Sequence, residues 1–278
     1  MAQIVVVTHR YDNFAAGFYM LRGLIQHWRA WGHSVRVVAG VPRRSFGDLA
    51  IMHVDCSIVP REYLDLVPRY PVVVNGAQRD NRKRRISRNL VRPNDGWEGP
   101  VIVKSDLNFG GIPEWRQNNA AIRMGQPPPH RVRRTSKAYT IYRAPSEVPD
   151  EIWTRSDLVV ERFLAEQDEH GYWLRNWVFF GDRERCNRNC SPYPIVKGAD
   201  VFRREPAPVP DEMRAERERL GFDYGKFDFV VHHGRPILLD ANRTPGTAPN
   251  LAAVFAQGAG DLALGLNHFL SRADAAAV

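Results

Sequence analysis

The sequence has few cysteines and no long apolar run. Three cysteines, an odd number in a chain of 278 residues, argue against a disulfide framework. Cys186 and Cys190 lie close together, but no second cysteine pair or suitably spaced histidine accompanies them, so a structural zinc site is not indicated. No apolar segment approaches membrane-spanning length, and the amino terminus lacks the features of a signal peptide. These absences predict a cytoplasmic protein that makes no contact with a membrane.

Acidic residues are outnumbered by basic ones. The chain has 39 Lys and Arg against 31 Asp and Glu, which gives a net charge of +8 and predicts attraction to anions. The densest basic run, residues 79–92, predicts a solvated helix face. It has no interleaved aromatic residues on which bases could stack, which disfavours binding of single-stranded nucleic acid.

A G-x-G-x-x-G motif is also absent after the first predicted strand, which disfavours a Rossmann dinucleotide fold. Strands are predicted at residues 4–7, 34–39, 48–54 and 72–75. A helix that ends at Gly32 follows the first strand, and its apolar residues at helical spacing are Phe14, Phe18, Leu21, Ile25, Trp28 and Trp31. The alternation of strand and helix predicts a parallel sheet with right-handed crossovers.

Polar residues follow two of these strands. Because ligands collect at the carboxyl ends of parallel strands, His9 and Arg10 after the first strand, and His53 and Asp55 after the third, are candidate substrate residues. Many strand ends carry polar residues that contact no ligand, so a purely structural role for all four stays open.

The segment from residue 222 to 249 predicts a β-hairpin. Strands at residues 226–231 and 236–241 are joined by a turn at His233 and Gly234. Asp240 and Asn242 share one face of the second strand, and the hairpin can bring Asp228 beside them. Three such side chains form an all-oxygen pocket that suits Mg2+. The alternative is an edge hairpin with solvated acids.

A lysine and a glycine pair mark a second candidate site. Residues 99–103 predict a strand, and Lys104 shares a face with Ile102. Gly110 and Gly111 follow, and their backbone N–H groups can approach a phosphate without a side chain in the way. A solvent-exposed lysine at a strand end is the alternative.

The remaining patterns complete the predicted elements. Residues 116–150 predict loops with one strand at 138–142, and the basic residues 131–134 are either a substrate contact or a solvated loop. Further strands are predicted at 158–163 and 172–180, a helix at 211–220 capped by Gly221, and two apolar helices after Pro249.

Three stretches together resemble the ATP-grasp superfamily, which includes D-alanine-D-alanine ligases, glutathione synthetases and ribosomal-protein glutamate ligases. They are the lysine strand GPVIVKSDLNFGG, the strand LVVERFLAE and the acidic strand LLDANRTPG, in the family's order. The resemblance covers residues 75–253. The family usually has Glu where this chain has Asp240, so one or two metal ions stay open.

The resemblance implies roles for further residues. It implies nucleotide contacts by Lys83 and Lys104, a phosphate loop at Gly110 and Gly111, and Mg2+ ligation by Asp228, Asp240 and Asn242. Relatives read adenine at the hinge, here Glu161, Phe163 and Leu164, and bind ribose through an acid, here Glu166 with Asp168 as the competitor. The catalytic cations that neutralise the γ-phosphate and the acyl intermediate would be Arg175 and Lys197, and the alternative for both is a surface ion pair with a nearby acid.

The predicted fold class is α/β, with an amino-terminal parallel-sheet domain followed by an ATP-grasp module of two α+β lobes. The predicted domains are residues 1–78, 79–160 with the phosphate loop, and 161–278 with the metal site. The resemblance implies an ATP- and Mg2+-dependent ligase that activates a carboxylate as an acylphosphate for attack by an amine. The substrates would be small molecules or peptides, and a homodimer is left open.

Two alternatives stay open. One is an ATP-grasp kinase that phosphorylates a small molecule without ligation. The other is a basic nucleic-acid-binding protein that uses residues 79–92 and 131–137, although a polyanion binder gains nothing from carboxylates in its groove. Nucleic acid is therefore not the expected partner.

Overall fold

The computed structural model describes residues 1–132, 139–249 and 252–276, and their mixed α/β structure confirms the predicted fold class. The strands are β1 (Gln3–Thr8), β2 (Ser34–Ala39), β3 (Leu49–His53), β4 (Val73–Val74), β5 (Val101–Ser105), β6 (Thr140–Tyr142), β7 (Leu158–Arg162), β8 (Glu166–Asp168), β9 (Gly171–Phe180), β10 (Arg183–Ser191), β11 (Arg203–Pro206), β12 (Tyr224–His232) and β13 (Arg235–Asn242). The helices are α1 (Met20–Ala30), α2 (Arg61–Leu64), α3 (Lys83–Ile86), α4 (Ile112–Arg123), α5 (Asp150–Thr154), α6 (Asp211–Leu220), α7 (Ala252–Gly258), α8 (Gly260–Ala263) and α9 (Leu266–Ala276). None of these helices is both long and apolar enough to cross a membrane.

The amino-terminal sheet is parallel, as predicted, with the strand order β2-β1-β3-β4. Its central strands β1 and β3 are apolar because both of their faces are covered, which is typical of parallel sheets, whereas the edge strand β2 is largely exposed. Helix α1 packs Leu21, Leu24 and Trp28 against the sheet. The carboxyl-terminal helices complete the same core, and the Trp28 indole donates a hydrogen bond of 2.8 Å to the carbonyl of Ala263.

The predicted start of α1 was wrong, because the helix begins at Met20 rather than near Phe14. The preceding residues form hydrogen-bonded turns, and Tyr19 makes an isolated β-bridge with Gly246. These long-range contacts fix the segment in a non-helical conformation. Phe14 is still buried, whereas Phe18 is 47% exposed.

Two antiparallel sheets follow. The first has the order β6-β5-β7, and the second has the order β11-β10-β9-β12-β13 with β8 paired to β9. The predicted hairpin is confirmed: β12 and β13 pair with Asp228 opposite Asp240. His233 and Gly234 have positive φ angles of 48° and 76°, as a two-residue hairpin turn requires. Helix α6 and its cap at Gly221 are also as predicted.

The predictions for two other segments were wrong. The basic run 79–92 contains only the short helix α3, because several of its side chains are held by acids elsewhere in the chain. Residues 116–123 were predicted as loop but belong to α4, in which Pro113 occupies the first turn. Part of the basic segment 131–137 lies outside the described residues. The three sheets fall within residues 3–74, 101–162 and 166–242, and the domain boundaries remain a prediction.

Candidate active site

Two carboxylates face each other across the hairpin, and each is paired with a lysine. Lys83 Nζ lies 3.1 Å from Asp240 Oδ1, and Lys226 Nζ lies 3.0 Å from Asp228 Oδ2. Asn176, on the neighbouring strand β9, donates a hydrogen bond to Asp228 Oδ1. We call Asp228 and Asp240 the acid pair.

The charges in this group stabilise one another. Burial alone would lower the pKa of Lys83, but the adjacent Asp240 carboxylate raises it above its usual value. Lys226 is affected in the same way, since burial opposes its charge and Asp228 raises its pKa. Burial would raise the pKa of Asp240, but Lys83 and the more distant lysines hold it below its usual value. The acid pair therefore lies beside two ammonium groups.

Lys104 lies nearby and has its own acidic partner. Its Nζ is 2.7 Å from Glu161 Oε2, and both side chains are buried on the paired strands β5 and β7. The resemblance assigns the backbone of Glu161 to an adenine hinge, which stays a prediction, and the structure places the Glu161 side chain against Lys104. The structure places the other two predicted hinge residues, Phe163 and Leu164, in the lining of a cavity.

The first cavity lies between the three-stranded and six-stranded sheets. Apolar side chains line most of it, and the acid pair lies at the polar end with Lys83 and Lys104. The apolar part includes Ile102, Phe163, Leu164, Val230 and Leu239. A mainly apolar cavity with cations at one end suits a heterocycle that carries an attached anion. The Phe163 amide donates to the carbonyl of Pro100.

Glu166 and Arg175 were predicted to act separately, but they pair with each other. Arg175 Nη2 lies 2.7 Å from Glu166 Oε1, and Glu166 Oε2 accepts a hydrogen bond of 2.7 Å from the Val231 amide. Glu166 lines the first cavity, while the Arg175 guanidinium is directed at Glu166 rather than at the acid pair. Asp168, the competitor for the ribose role, accepts a hydrogen bond from the His170 amide.

The other predicted cation and the glycines of the predicted phosphate loop do not line the first cavity. Lys197 is exposed in the segment after β10 and makes no ion pair within the parts of the chain described above. Phe109, Gly110 and Gly111 have positive φ angles of 48°, 67° and 73° in the turn that leads into α4. The preceding Asn108 amide donates to Ser57 Oγ, so this turn contacts the segment after β3.

A second cavity adjoins the first and shares the acid pair and Tyr139 with it. Its other walls include Asp55, Asn242 and Thr244. Thr244 Oγ1 donates to Asp55 Oδ1 at 2.7 Å, and the Thr244 amide donates to Asn242 Oδ1 at 2.9 Å. The acid pair thus lies between a mainly apolar cavity and a polar one.

Of the four candidate substrate residues, only Asp55 reaches this cavity. His53 is fully buried between the rings of Phe14 and Tyr19, and burial lowers its pKa to about 3. Its ring nitrogens have no hydrogen-bond partner within the described residues. The prediction that His53 lines a crevice is therefore wrong: the strand end turns its side chain into the core.

His9 and Arg10 lie elsewhere as well. His9 is buried, and burial followed by the charges of His130 and Arg10 lowers its pKa to about 3. Arg10 forms a partly exposed ion pair with Glu62 at 2.9 Å. Neither side chain contacts the acid pair. The prediction that His9 and Arg10 line a crevice together with Asp55 is therefore wrong.

Lys226 is a candidate site residue that the sequence patterns missed. It lies two residues before Asp228 on β12, so strand alternation places both side chains on one face. Arg243, which follows Asn242, is fully buried and donates to the carbonyls of Cys56 and Ser57. It ties the end of β13 to the segment after β3, next to Asp55.

The acid pair and Asn242 fit a hard cation by their chemistry, since they offer carboxylate and amide oxygens. Asp240 Oδ2 has no hydrogen bond to a described residue, and the Asp240 side chain is 30% exposed at the cavity. Among the described residues, no group of three or more His, Cys, Asp or Glu is arranged to hold a metal. Any cation here would depend on additional oxygens from a ligand.

No protein-family model matches the sequence, and no curated protein matches it. Solved structures do match. The RimK domain protein ATP-grasp from Sphaerobacter thermophilus DSM 20745 aligns with a TM-score of 0.52 at 15% identity, covering 97% of this chain and 100% of that one. The D-alanine-D-alanine ligase from Coxiella burnetii aligns with a TM-score of 0.50 at 10% identity, covering 99% of this chain and 97% of that one. The chain has the fold of the ATP-grasp superfamily.

Proposed function

We propose that this protein is an ATP-dependent ligase that activates a carboxylate as an acylphosphate and joins it to an amine. The observation that carries the proposal is the position of the acid pair, at the boundary between an apolar cavity and a polar one. ATP would place its base in the first cavity and its phosphates near Lys83 and Lys104. The carboxylate substrate would occupy the second cavity.

For this reaction, the protein needs mainly to position the substrates and to place cations near the phosphoryl group. In phosphoryl transfer, negative charge accumulates on the phosphoryl oxygens, and nearby cations stabilise it. Lys83 and Lys226 already lie beside the acid pair and can turn towards that charge. The carboxylate oxygen attacks the γ-phosphorus and ADP leaves. The amine nitrogen then attacks the acyl carbon, and inorganic phosphate leaves and takes up the proton that the nitrogen loses.

A magnesium ion would be held by Asp228, Asp240 and Asn242. When bound, it would neutralise charge on the phosphate oxygens. A bound ion would share the two carboxylates with Lys83 and Lys226, which already pair with them. We further propose the boundaries at residues 78 and 160 as domain limits, with substrate on the amino-terminal side.

The similar structure from Coxiella burnetii is named as a D-alanine-D-alanine ligase, and ligation is carried to this chain only as a proposal. The second candidate is a small-molecule kinase, which would use the same two cavities. The two are separated by their products. A ligase releases inorganic phosphate only when both a carboxylate and an amine are present, whereas a kinase keeps the phosphate on its product.

The central test is thermal unfolding with nucleotides. A ligand that binds only the folded state raises its stability by mass action, so ATP with Mg2+ should raise the melting temperature. ATP with a chelator should raise it less. The absence of a shift with every purine nucleotide at millimolar concentration would refute the proposal. Phosphate release with pools of carboxylates and amines then identifies the reaction.

A further inference from the structure

A third cavity lies behind the acid pair, on the face of β9 and β10 that carries Asn176 and Asn187. It shares Lys226, Gly246 and Thr247 with the second cavity. A ligand with one end beside Lys226 could therefore extend from the second cavity into the third. Among the described residues, no strand of the amino-terminal sheet and no residue of the first cavity lines the third cavity.

Two arginines give this cavity an unusual charge. Arg183, Arg188 and Arg203 on β10 and β11 all have carboxylate partners. Arg185 and Arg204, on the same strands, line the third cavity and have no carboxylate partner within the described residues. The lining also contains Glu184 and Asp261, which pair with Arg214 and Arg183, and Lys226, whose ammonium pairs with Asp228. The two guanidinium groups are therefore the cations of this lining that have no carboxylate partner among the described residues.

Both guanidinium groups are held in place by one neutral hydrogen bond. Arg185 Nη2 donates to the carbonyl of Gly258 at 3.0 Å, and Arg204 Nε donates to Asn189 Oδ1 at 2.7 Å. A guanidinium has further N–H donors, so most of those on each arginine remain available. A planar guanidinium group with available N–H donors can donate two parallel hydrogen bonds to the two oxygens of a carboxylate.

A chain of hydrogen bonds connects Arg204 to the acid pair. Asn189, which accepts from Arg204, donates to Asn176 Oδ1 at 2.6 Å. Asn176 in turn donates to Asp228. This chain fixes the location of the Arg204 guanidinium relative to the proposed reaction centre. The lining also includes Met20, Phe255 and Leu262, which are available to contact an aliphatic spacer.

We infer that the third cavity binds a second carboxylate of the substrate, so that the substrate is a dicarboxylate or carries an acidic side chain. One carboxylate lies beside Lys226 and is activated, and the other pairs with Arg185 and Arg204. This inference rests on the proposed ligase function, because it extends the same substrate site. It also explains why these arginines lack the acidic partners that their neighbours have.

The test measures binding of matched probes by calorimetry in the presence of a non-hydrolysable ATP analogue and Mg2+. The probes are straight-chain dicarboxylates with various spacer lengths, each compared with its own monoamide. Ala-Glu and Ala-Gln form a further pair, which separates a peptide carrier from a small molecule. The variants are R185Q with R204Q, the charge-conserving R185K with R204K, and R203Q as the matched control whose arginine pairs with Glu205.

The preferred dicarboxylate should bind the wild-type protein about tenfold more tightly than its monoamide, as expected for a charge-assisted hydrogen bond at a partly exposed site. The R185Q R204Q variant should lose this preference, the lysine variant should keep part of it, and R203Q should keep all of it. The inference is overturned if no dicarboxylate is preferred, or if the preference survives in R185Q R204Q. If the wild-type protein does not bind the ATP analogue, the proposed function is refuted instead.

Discussion

At the scale of single residues, the acid pair is distinguished by the side chains that contact it. Asp228 and Asp240 each contact a lysine, and Asp228 also accepts from Asn176. In a hairpin with a purely structural role, two half-buried acids would gain more from solvent than from two partly desolvated lysines. The concentration of charge beside an apolar cavity is typical of a site that binds a charged ligand.

Replacing either acid with asparagine should remove the part of the ATP response that depends on Mg2+. D228N and D240N each keep the shape of the side chain but remove a charge from the proposed metal ligands. The difference in melting temperature between ATP with Mg2+ and ATP with a chelator should fall to near zero. D182N, at an exposed position on the β9–β10 turn, is the control. A wild-type response in both variants would show that the acids are ordinary hairpin residues.

His53 gives a prediction about stability rather than activity. Its buried ring nitrogens lack hydrogen-bond partners among the described residues, and such groups are unfavourable by about 1–3 kcal/mol. H53L has a similar volume, so it should raise the free energy of unfolding at pH 7 by about 1 kcal/mol.

The pH dependence gives this prediction a direction. The pKa of folded His53 is about 3 against an ordinary value of 6.5, so between these pH values the unfolded state binds more protons. Wild-type stability should therefore fall as the pH falls through this range, and H53L should lack this contribution. The advantage of H53L over wild type should grow by up to about 1.4 kcal/mol per pH unit. Urea unfolding from pH 4 to 7 measures it, with the exposed H268L as control, and parallel curves would contradict it.

At the scale of elements, the β12–β13 turn sets the pairing of the two strands near it, and a register shift that skips Leu239 then places Asp228 opposite Asp240. Gly234 has a φ of 76°, which is unfavourable for a residue with a Cβ atom. G234A should therefore lower the free energy of unfolding by about 1 kcal/mol.

Gly198 offers a matched control for this turn. A methyl group added at either glycine meets no atom within 4 Å, but only Gly234 has a positive φ. G198A should leave the free energy of unfolding nearly unchanged in the same urea titration. Equal effects of the two substitutions would mean that backbone conformation does not limit the turn.

The elements that the sequence predicted well are those whose patterns are local. Strand alternation and the turn residues His233 and Gly234 are enough to define the hairpin, and the capping glycine defines the end of α6. Elements controlled by distant partners were missed. Helix α1 begins late because Tyr19 is bridged to Gly246, far away in the sequence.

The same distinction applies to the candidate site. Alternation placed Asp228, Asp240 and Asn242 together, and it would also have identified Lys226 had the face of β12 been followed one position further. The pairing of Arg175 with Glu166 and of Lys104 with Glu161 could not be predicted, because each depends on the packing of separate strands. The direction in which His53 points likewise depends on the core around it.

At the scale of the whole molecule, fewer basic side chains are available to bind an anion than the net charge of the sequence suggests. In the run from residue 79 to 92, ion pairs hold Arg82 to Asp80, Lys83 to Asp240, Arg84 to Asp106 and Arg88 to Glu216. Asp106 is almost fully buried, so neutralising Arg84 would leave a buried carboxylate without its cation. Substitution of that arginine would test folding rather than binding.

The exposed remainder of the run is Arg79, Arg85 and Arg92, which have no carboxylate partner among the described residues. R79Q R85Q R92Q should therefore leave the melting-temperature shift with ATP and Mg2+ unchanged. Binding of a fluorescent duplex or single-stranded RNA by the wild-type protein should be weak at near-physiological salt. A nucleic-acid binder releases counterions in proportion to its phosphate contacts, so its affinity falls steeply with the logarithm of salt concentration.

With three free arginines in the run, the logarithm of the binding constant should fall with the logarithm of salt concentration with a slope of at most about 3. A salt series on wild type and the triple variant, with and without ATP, measures the slope and its dependence on these residues. Sub-micromolar binding that persists at near-physiological salt and disappears in the triple variant would contradict the assignment of the basic charge to small anionic ligands. It would favour a nucleic-acid-bound substrate instead, because only a polyanion gains from exposed cations that lie outside the three cavities.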